Sequence, residues 1–396
     1  MSDIAKNVTG LPKVPSFVVG TGPSGFCIGP FPFFRHHSSL TTPPDNCLPP
    51  PQICEKLENI VARFGGTLKN LPDIAGQTYF LPSRAPDEFR RFFQDTCQTS
   101  PHNNFIARLP GGRVFGSGCI LSPDGKSIAR DVSIDFGKTF HEHWLLGYPK
   151  MRPAKVLSGI TAVIATTLGS GYSHWLLEEL PRLLALKDIS VDRLIAHSRN
   201  EYNQTALKLG GYAGEVLEPL RFSHHVCETL LVPGLSGEVG NPSFVSVQAI
   251  HDFTAPLHEK NPPSAEKIYI SRSKARRRRI TLESALIEAL EKKGFGIVHP
   301  ETMNWKEQIN LFRHAKVIVT AHGAALANLI FCRPGTKIIE LFNRRYLNGC
   351  YWKLASVRKL EYHPVFPPLG EPLSGVSGNN RLDITYNLKQ VTMLLD

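Results

Sequence analysis

Val317-Ile318-Val319-Thr320-Ala321-His322-Gly323-Ala324-Ala325-Leu326 reads as a buried strand, a turn of small residues and a helix that starts at once. At such a turn Gly323, Ala324 and Ala325 let a ligand approach the backbone. The free N–H groups and the dipole of a helix start favour an anion there. His322 adds a hydrogen bond or a positive charge suited to a phosphate. The same letters also describe a tight strand–helix turn whose small residues serve only packing.

Working outward, this strand is one of a series. Residues 267–270 form a strand and 282–293 a helix stopped at Gly294. Residues 296–298 are a strand, 305–314 a helix, 324–332 a helix and 337–341 a further strand. An earlier series reads the same way: strand 159–165, helix 172–187, strand 193–196, helix 201–209 ending at Gly210-Gly211, and strand 229–232. Strands alternating with helices imply parallel βαβ units. Ahead of them, residues 105–109, 111–115 and 119–121 predict an antiparallel meander, turned at Pro110-Gly111 and Pro123-Asp124-Gly125. The expected organisation is an irregular Pro-rich segment (1–55), an α/β domain with the meander (56–235), a helix and linker (236–265), and a Rossmann-like domain with a tail (266–396). The fold class is α/β, two Rossmann-like halves facing a central cleft, where open α/β sheets place ligands.

Composition sets the outer limits. The 396 residues are 42% hydrophobic and 20% charged, enough to bury two ordinary cores. No run of about 18 apolar residues appears, so a spanning helix is not expected. Met1-Ser2-Asp3-Ile4-Ala5-Lys6-Asn7 leads into Pro and Gly without an apolar signal core, which predicts a cytoplasmic protein. The net charge of +11 attracts polyanions: nucleic acid, an anionic membrane surface touched from its inner face, or a diphosphate. The eight cysteines have neither CxxC spacing nor a Cys/His zinc pattern and read as free thiols.

Two further motifs carry chemistry. Tyr269-Ile270-Ser271-Arg272 ends a predicted strand and is followed by Arg276-Arg277-Arg278-Arg279. A guanidinium fork matches phosphate oxygens, which makes Arg272, Arg278 and Arg279 candidates for a diphosphate. An arginine run is also a solvated surface or a nucleic-acid patch, although no aromatic residues interleave it for base stacking. In Gly171-Tyr172-Ser173-His174-Trp175-Leu176-Leu177-Glu178-Glu179-Leu180-Pro181-Arg182, His174 and Glu178 stand at i and i+4 on one helical face. A carboxylate beside a histidine is a workable general-base pair, and Glu179 is the neighbouring alternative. A capping network over inward-packed Trp175, Leu176 and Leu180 is the other reading.

Taken in this order, these segments resemble glycosyltransferase family 61. The resemblance rests on Tyr172-x-His174-Trp175 with Leu180-Pro181-Arg182, on Tyr269-Ile270-Ser271-Arg272 with its arginines, and on Gln308-Ile309 through His322-Gly323-Ala324-Ala325-Leu326-Ala327-Asn328. It closes on Pro334-Gly335-Thr336 and Ile339-Glu340-Leu341. It covers roughly residues 104–345. The residue before Tyr172 is often Asn in that family and is Gly171 here.

The resemblance implies a GT-B architecture and an inverting, metal-independent hexosyl- or pentosyltransferase. Such an enzyme acts without a cofactor on a nucleotide-sugar donor, a UDP-sugar, and on a glycan, lipid-linked or protein acceptor in polysaccharide or glycoconjugate biosynthesis. Glu178, or else Glu179, is then the base, oriented by His174. Arg272, Arg278, Arg279 and the N–H groups from His322 to Ala325 take the leaving diphosphate. Asn328 belongs to the donor motif, and Glu340 holds the donor's ribose hydroxyls. The alternatives are a catalytically inactive nucleotide-sugar-binding protein and a nucleic-acid-binding α/β protein.

Overall fold

A computed structural model describes residues 47–396 except 73–74, 83–86, 102–103, 238, 240–242, 261–264, 276, 344–345 and 368–382. Most of the Pro-rich segment and Arg276 therefore lie outside the described residues.

The described residues form two sheets. The first contains β1 (Ile53–Glu55), β2 (Thr67–Asn70), β3 (Phe105–Pro110), β4 (Arg113–Phe115), β5 (Cys119–Leu121), β6 (Ser127–Ala129), β7 (Lys155–Val163), β8 (Arg193–Ile195), β9 (Glu215–Leu217) and β10 (His224–Pro233). Its order is β1-β6-β5-β4-β10-β7-β8-β9, with β3 also on β10 and β2 on β3. The β10-β7-β8-β9 part is parallel, as strands alternating with helices require. The second sheet holds β11 (Lys267–Ile270), β12 (Gly296–Val298), β13 (Val317–Ala321), β14 (Lys337–Leu341) and β15 (Glu361–Val365). Its order is β12-β11-β13-β14-β15 and every pair is parallel. β13, the strand of the opening stretch, is central, and its Ile318 and Val319 are fully buried.

The meander is corrected in part. Pro123-Asp124-Gly125 does turn the chain, with Gly125 N–H on Ser122 O at 2.9 Å and β5 paired to β6. Pro110-Gly111 does not make a hairpin: β3 and β4 both run antiparallel to β10, one after the other. Gly111, at φ 66°, bends the strand, while Gly111 N–H on Glu228 O and Cys227 N–H on Gly112 O carry the ladder across the bend. Beyond the expected elements, a helix at Cys350–Val357 and β15 complete the second sheet.

The largest core cluster among the described residues joins helices that follow strands of the first sheet to the second sheet. Trp175, Leu176 and Leu180, which follow β7, pack with Ile268, Ile270, Ile318, Trp305, Phe312, Phe331 and Trp352 around the second sheet. The helix Phe244–Phe253, inside the stretch expected as a linker, contributes Val247 and Ile250 to the same cluster. Complete burial of so many large apolar side chains, at about 1.5–3 kcal/mol each, anchors the 172–185 helix against the second sheet. No helix among the described residues is long and apolar enough to cross a membrane.

Candidate active site

β11 and β13 are neighbours, and their C-terminal ends bring the first two motifs together. Glu283 fixes the end of β11, accepting from Tyr269 OH (2.8 Å), Ser271 OH (2.8 Å) and Arg272 N–H (3.0 Å). The Arg272 side chain then folds back. Its Nε donates to Arg278 O and its Nη2 to Arg277 O, both at 2.8 Å. Its Nη1 lies against Gly323, where a Cβ would sit 2.0 Å away. Gly323 is therefore required by the approach of a guanidinium. Its own φ of −177° is extended and suits any residue.

Burial lowers the Arg272 pKa to about 10, with the Arg278 charge adding to the effect, so it stays protonated at neutral pH. Arg278 adopts a left-handed backbone (φ 55°) and lays its guanidinium 5.3 Å from the Tyr346 ring centroid. Its Nε is buried with no partner among the described residues. Among those residues neither arginine is salt-bridged to a carboxylate. Two adjacent cations with no salt-bridged carboxylate among the described residues form a ready site for an anion.

His322 sits beside them, 4% exposed, with Nδ1 2.6 Å from Glu340 Oε1. Tyr362 OH donates to the other oxygen of Glu340 at 2.5 Å. Burial draws the His322 pKa down against the pull of Glu340, and the Arg278 and Arg272 charges push it the same way. Phe342, Tyr346 and Tyr351 surround the ring at 5.0–5.8 Å between centroids.

Several expected site residues have partners of their own here. Glu340 is fully buried, with one oxygen on His322 and the other on Tyr362, so neither oxygen is exposed where a ribose would lie. The His322 N–H continues the sheet to Leu341 O and is not free, which leaves those of Gly323, Ala324 and Ala325. Residues Ala324–Phe331 form a 3-10 helix rather than an α-helix. Asn328 is fully buried; its amide contacts Tyr172 OH and donates to Gln308 Oε1 (3.0 Å), so it supports the site from behind. Arg279 is exposed and donates from Nε to Ala275 O, away from the Arg272–Gly323 contact.

The third motif arrives from the end of β7. Its helix begins at Tyr172, passes through a π turn over Trp175–Glu179 and resumes as α over Leu180–Ala185. Pro181 has no N–H to give Leu177 O in the α pattern, and Leu180 N–H bonds Trp175 O five residues back. His174 and Glu178 meet as expected, Nδ1 to Oε1 at 2.7 Å.

Their exposures differ: the His174 side chain is 30% accessible and that of Glu178 7%. Burial alone would lower the His174 pKa. The Glu178 carboxylate outweighs it through charge and hydrogen bond, Glu179 adds to this, and the net shift is upward. Glu179 points the other way, fully buried, accepting from Thr166 N–H (2.6 Å) and lying 2.9 Å from His197 Nδ1. His197 and Thr166 carried no signal in the sequence, since each meets Glu179 only through the fold.

The motifs touch directly. Tyr172 OH accepts from Trp305 Nε1 at 3.0 Å and contacts Asn328. The helix start also contacts the Ala324–Phe331 turn that follows Gly323, and the Tyr351 ring lies 5.0 Å from that of His322. His174 and the Arg272–Arg278–His322 cluster thus stand on adjoining elements. Among the described residues no group of three or more His, Cys, Asp or Glu side chains is placed to hold a metal. A mostly apolar crevice of about 810 Å³ opens along the later half of the same helix, by Leu184, Ile189, Tyr212 and Phe253, and includes none of these site residues.

Residues 172–339 match the family model described as Glycosyltransferase 61. Over 66 residues the chain is 35% identical to the beta-1,2-xylosyltransferase RCN11 of Oryza sativa subsp. japonica, covering 17% of this chain and 12% of that protein. Over 61 residues it is 33% identical to a beta-1,2-xylosyltransferase of Arabidopsis thaliana, covering 15% and 11%. The chain thus matches about an eighth or less of the length of these curated relatives. The match begins at Tyr172, where the His174 helix starts, and ends within β14, so it spans both the dyad and the arginine cluster. The family that the motifs resemble is the family that the chain matches over residues 172–339: glycosyltransferase 61.

Proposed function

We propose that this protein is a glycosyltransferase that moves a sugar from a nucleotide-sugar, a UDP-sugar, to an acceptor hydroxyl with inversion and without a metal. The observation that carries this reading is the meeting of two chemistries. A partly exposed imidazole backed by a buried carboxylate lies on a helix that meets the Ala324–Phe331 turn, and that turn follows Gly323, against which the Arg272 guanidinium lies.

His174 is the base and Glu178 orients it. With Nδ1–H directed at Glu178, the His174 Nε2 lone pair accepts the proton of the acceptor hydroxyl. The hydroxyl oxygen attacks the anomeric carbon on the face opposite the diphosphate. The bond from that carbon to the phosphate oxygen breaks, and its electron pair leaves with the nucleoside diphosphate. Arg272, Arg278 and the N–H groups of Gly323, Ala324 and Ala325 stabilise that growing charge, at roughly 10²–10³ in rate for one well-placed donor. The products are the inverted glycoside and the nucleoside diphosphate, and His174 returns its proton to solvent.

A GT-B cleft between the two sheets, a glycan, lipid-linked or protein acceptor, and a cytoplasmic site of action belong to the same proposal. So does a peripheral contact with an anionic membrane. The Arg152 and Arg221 guanidiniums lie 5.4 and 4.9 Å from the ring of Phe222, which is 37% exposed, and exposed Lys150 and Lys155 flank Arg152 in the sequence. The test of the enzyme is a panel of UDP-, GDP-, CMP- and dTDP-sugars scored by thermal shift and by sugar transfer. A donor at 100 times its Kd stabilises the fold by about 2.7 kcal/mol. A panel in which no donor stabilises or is consumed overturns the proposal.

A further inference from the structure

Directly behind the His174–Glu178 pair lies a second carboxylate–imidazole pair that the chemistry above does not use. Glu179, the next residue of the same π turn, is 0% exposed, and its Oε1 receives three donors: Thr166 N–H at 2.6 Å, Thr166 OH at 3.3 Å and His197 Nδ1–H at 2.9 Å. All three come from loops that follow β7 and β8, not from the helix. Gly169 lets them converge, because a Cβ there would fall 1.6 Å from Glu179 Oε1 and 2.8 Å from His197 Nδ1. One turn on, Arg182 is 1% exposed; it donates to Pro233 O (3.0 Å), Ile164 O (2.8 Å) and Ala165 O (3.2 Å), and its charge acts on both glutamates.

A buried carboxylate is tolerated only when it is well supplied with donors. A π turn forgoes the regular α pattern and persists where other contacts hold it. Here Glu179, the last residue of the widened turn, and Arg182, three residues further on, both anchor its C-terminal end, and the residue between Leu177 and Glu179 is the one that faces His174.

We propose that Glu179, held by His197, Thr166 and Gly169, is a positioning residue that fixes the π turn and so aims the Glu178 carboxylate at His174. It touches neither substrate nor the reacting atoms. The proposal rests on the glycosyl-transfer reading for its kinetic consequences, but its effect on His174 is measured without turnover. Loss of that anchor frees the turn that carries Glu178, and the 2.7 Å contact to His174 then rests on the i, i+4 spacing alone.

The experiment compares Glu179→Gln, His197→Gln and His197→Leu with wild type, using NMR titration of the His174 ring alongside kcat and donor KM. Glu179→Gln keeps size and the oxygen that accepts from Thr166 and His197 but removes the charge, so it reports what the charge alone does to His174. His197→Gln keeps an N–H donor, and His197→Leu removes it. The expected result is a lower His174 titration midpoint and a kcat loss of roughly 10²-fold in His197→Leu, with donor KM unchanged, while Glu179→Gln lowers the midpoint with little loss of kcat. His197→Gln restores both to near wild type. A kcat loss in folded Glu179→Gln as large as that in His197→Leu overturns the proposal, as does equal behaviour of the two His197 variants. If the wild type turns over no donor, transfer fails as a function, while the titrations of the two His197 variants still decide whether Glu179 positions the dyad. Thermal melts of each variant separate this outcome from unfolding, and His197→Phe, which keeps a ring without the donor, decides the question if His197→Leu does not fold.

Discussion

Gly323→Ala isolates the anion site from the rest of the fold. The φ of −177° at this position suits alanine, so the backbone adds no strain. The whole effect lies in the added methyl, which would stand 2.0 Å from Arg272 Nη1 and 3.1 Å from Cζ. To reach ordinary contact near 3.4 Å the guanidinium must retreat by roughly 1.4 Å. It cannot do so and keep its 2.8 Å bonds to Arg277 O and Arg278 O. Each is a charged hydrogen bond of about 1.5–3 kcal/mol, so breaking one or both releases the arginine. The predicted loss is about 10–10²-fold in affinity for the nucleoside diphosphate, with turnover falling by roughly 10²–10³ as for removal of one oxyanion donor. Calorimetric titration with the diphosphate and donor turnover, in Gly323→Ala, Arg272→Ala and the double variant, form a cycle. The double variant is expected to be no worse than Arg272→Ala, because both changes remove one contact. Wild-type affinity in Gly323→Ala, or full additivity in the cycle, refutes the reasoning.

Other outcomes follow from the same geometry. Because the neighbouring carboxylates raise the His174 pKa, turnover falls as pH drops through a value above the ordinary 6.5. In Glu178→Gln that charge is lost and burial dominates, so the acid limb of a kcat–pH profile moves to lower pH while the plateau drops by roughly 10²–10⁴. Transfer continues in EDTA, since arginines and backbone N–H groups carry the leaving charge; complete, metal-reversible loss of turnover contradicts this. Reversing charge at Arg152 and Lys155 together abolishes sedimentation with phosphatidylserine vesicles while turnover of a soluble acceptor persists. Unchanged sedimentation dismisses that surface.

Much of the second sheet was readable because each strand is a short β-branched run bounded by helices of regular period. β13, Gly323 and the end of β11 fell where the pattern placed them. The bent β3–β4 strand was not legible, since Pro110-Gly111 is a good turn signal and only the length of β10, ten residues and more than a hundred positions away, makes it a bend. The i, i+4 spacing of His174 and Glu178 predicted their contact. It did not predict which of them would be exposed, because that depends on a π turn made by Pro181 and held by Thr166 and His197. The burial of Glu340 was hidden for a similar reason: Tyr362, which donates to its second oxygen, lies beyond the motif on β15. Local pattern marked where chemistry collects, and long-range partners decided which atoms remain free for it.

The central claim is that His174 deprotonates an acceptor hydroxyl while Arg272 and Arg278 receive the departing diphosphate. Its most direct measurement is acceptor-dependent release of nucleoside diphosphate by wild type and His174→Gln, with the donor that the panel selects and its Kd measured in parallel. The account predicts a loss of roughly 10²–10⁴ in turnover with donor affinity nearly unchanged. Wild-type turnover in His174→Gln contradicts it.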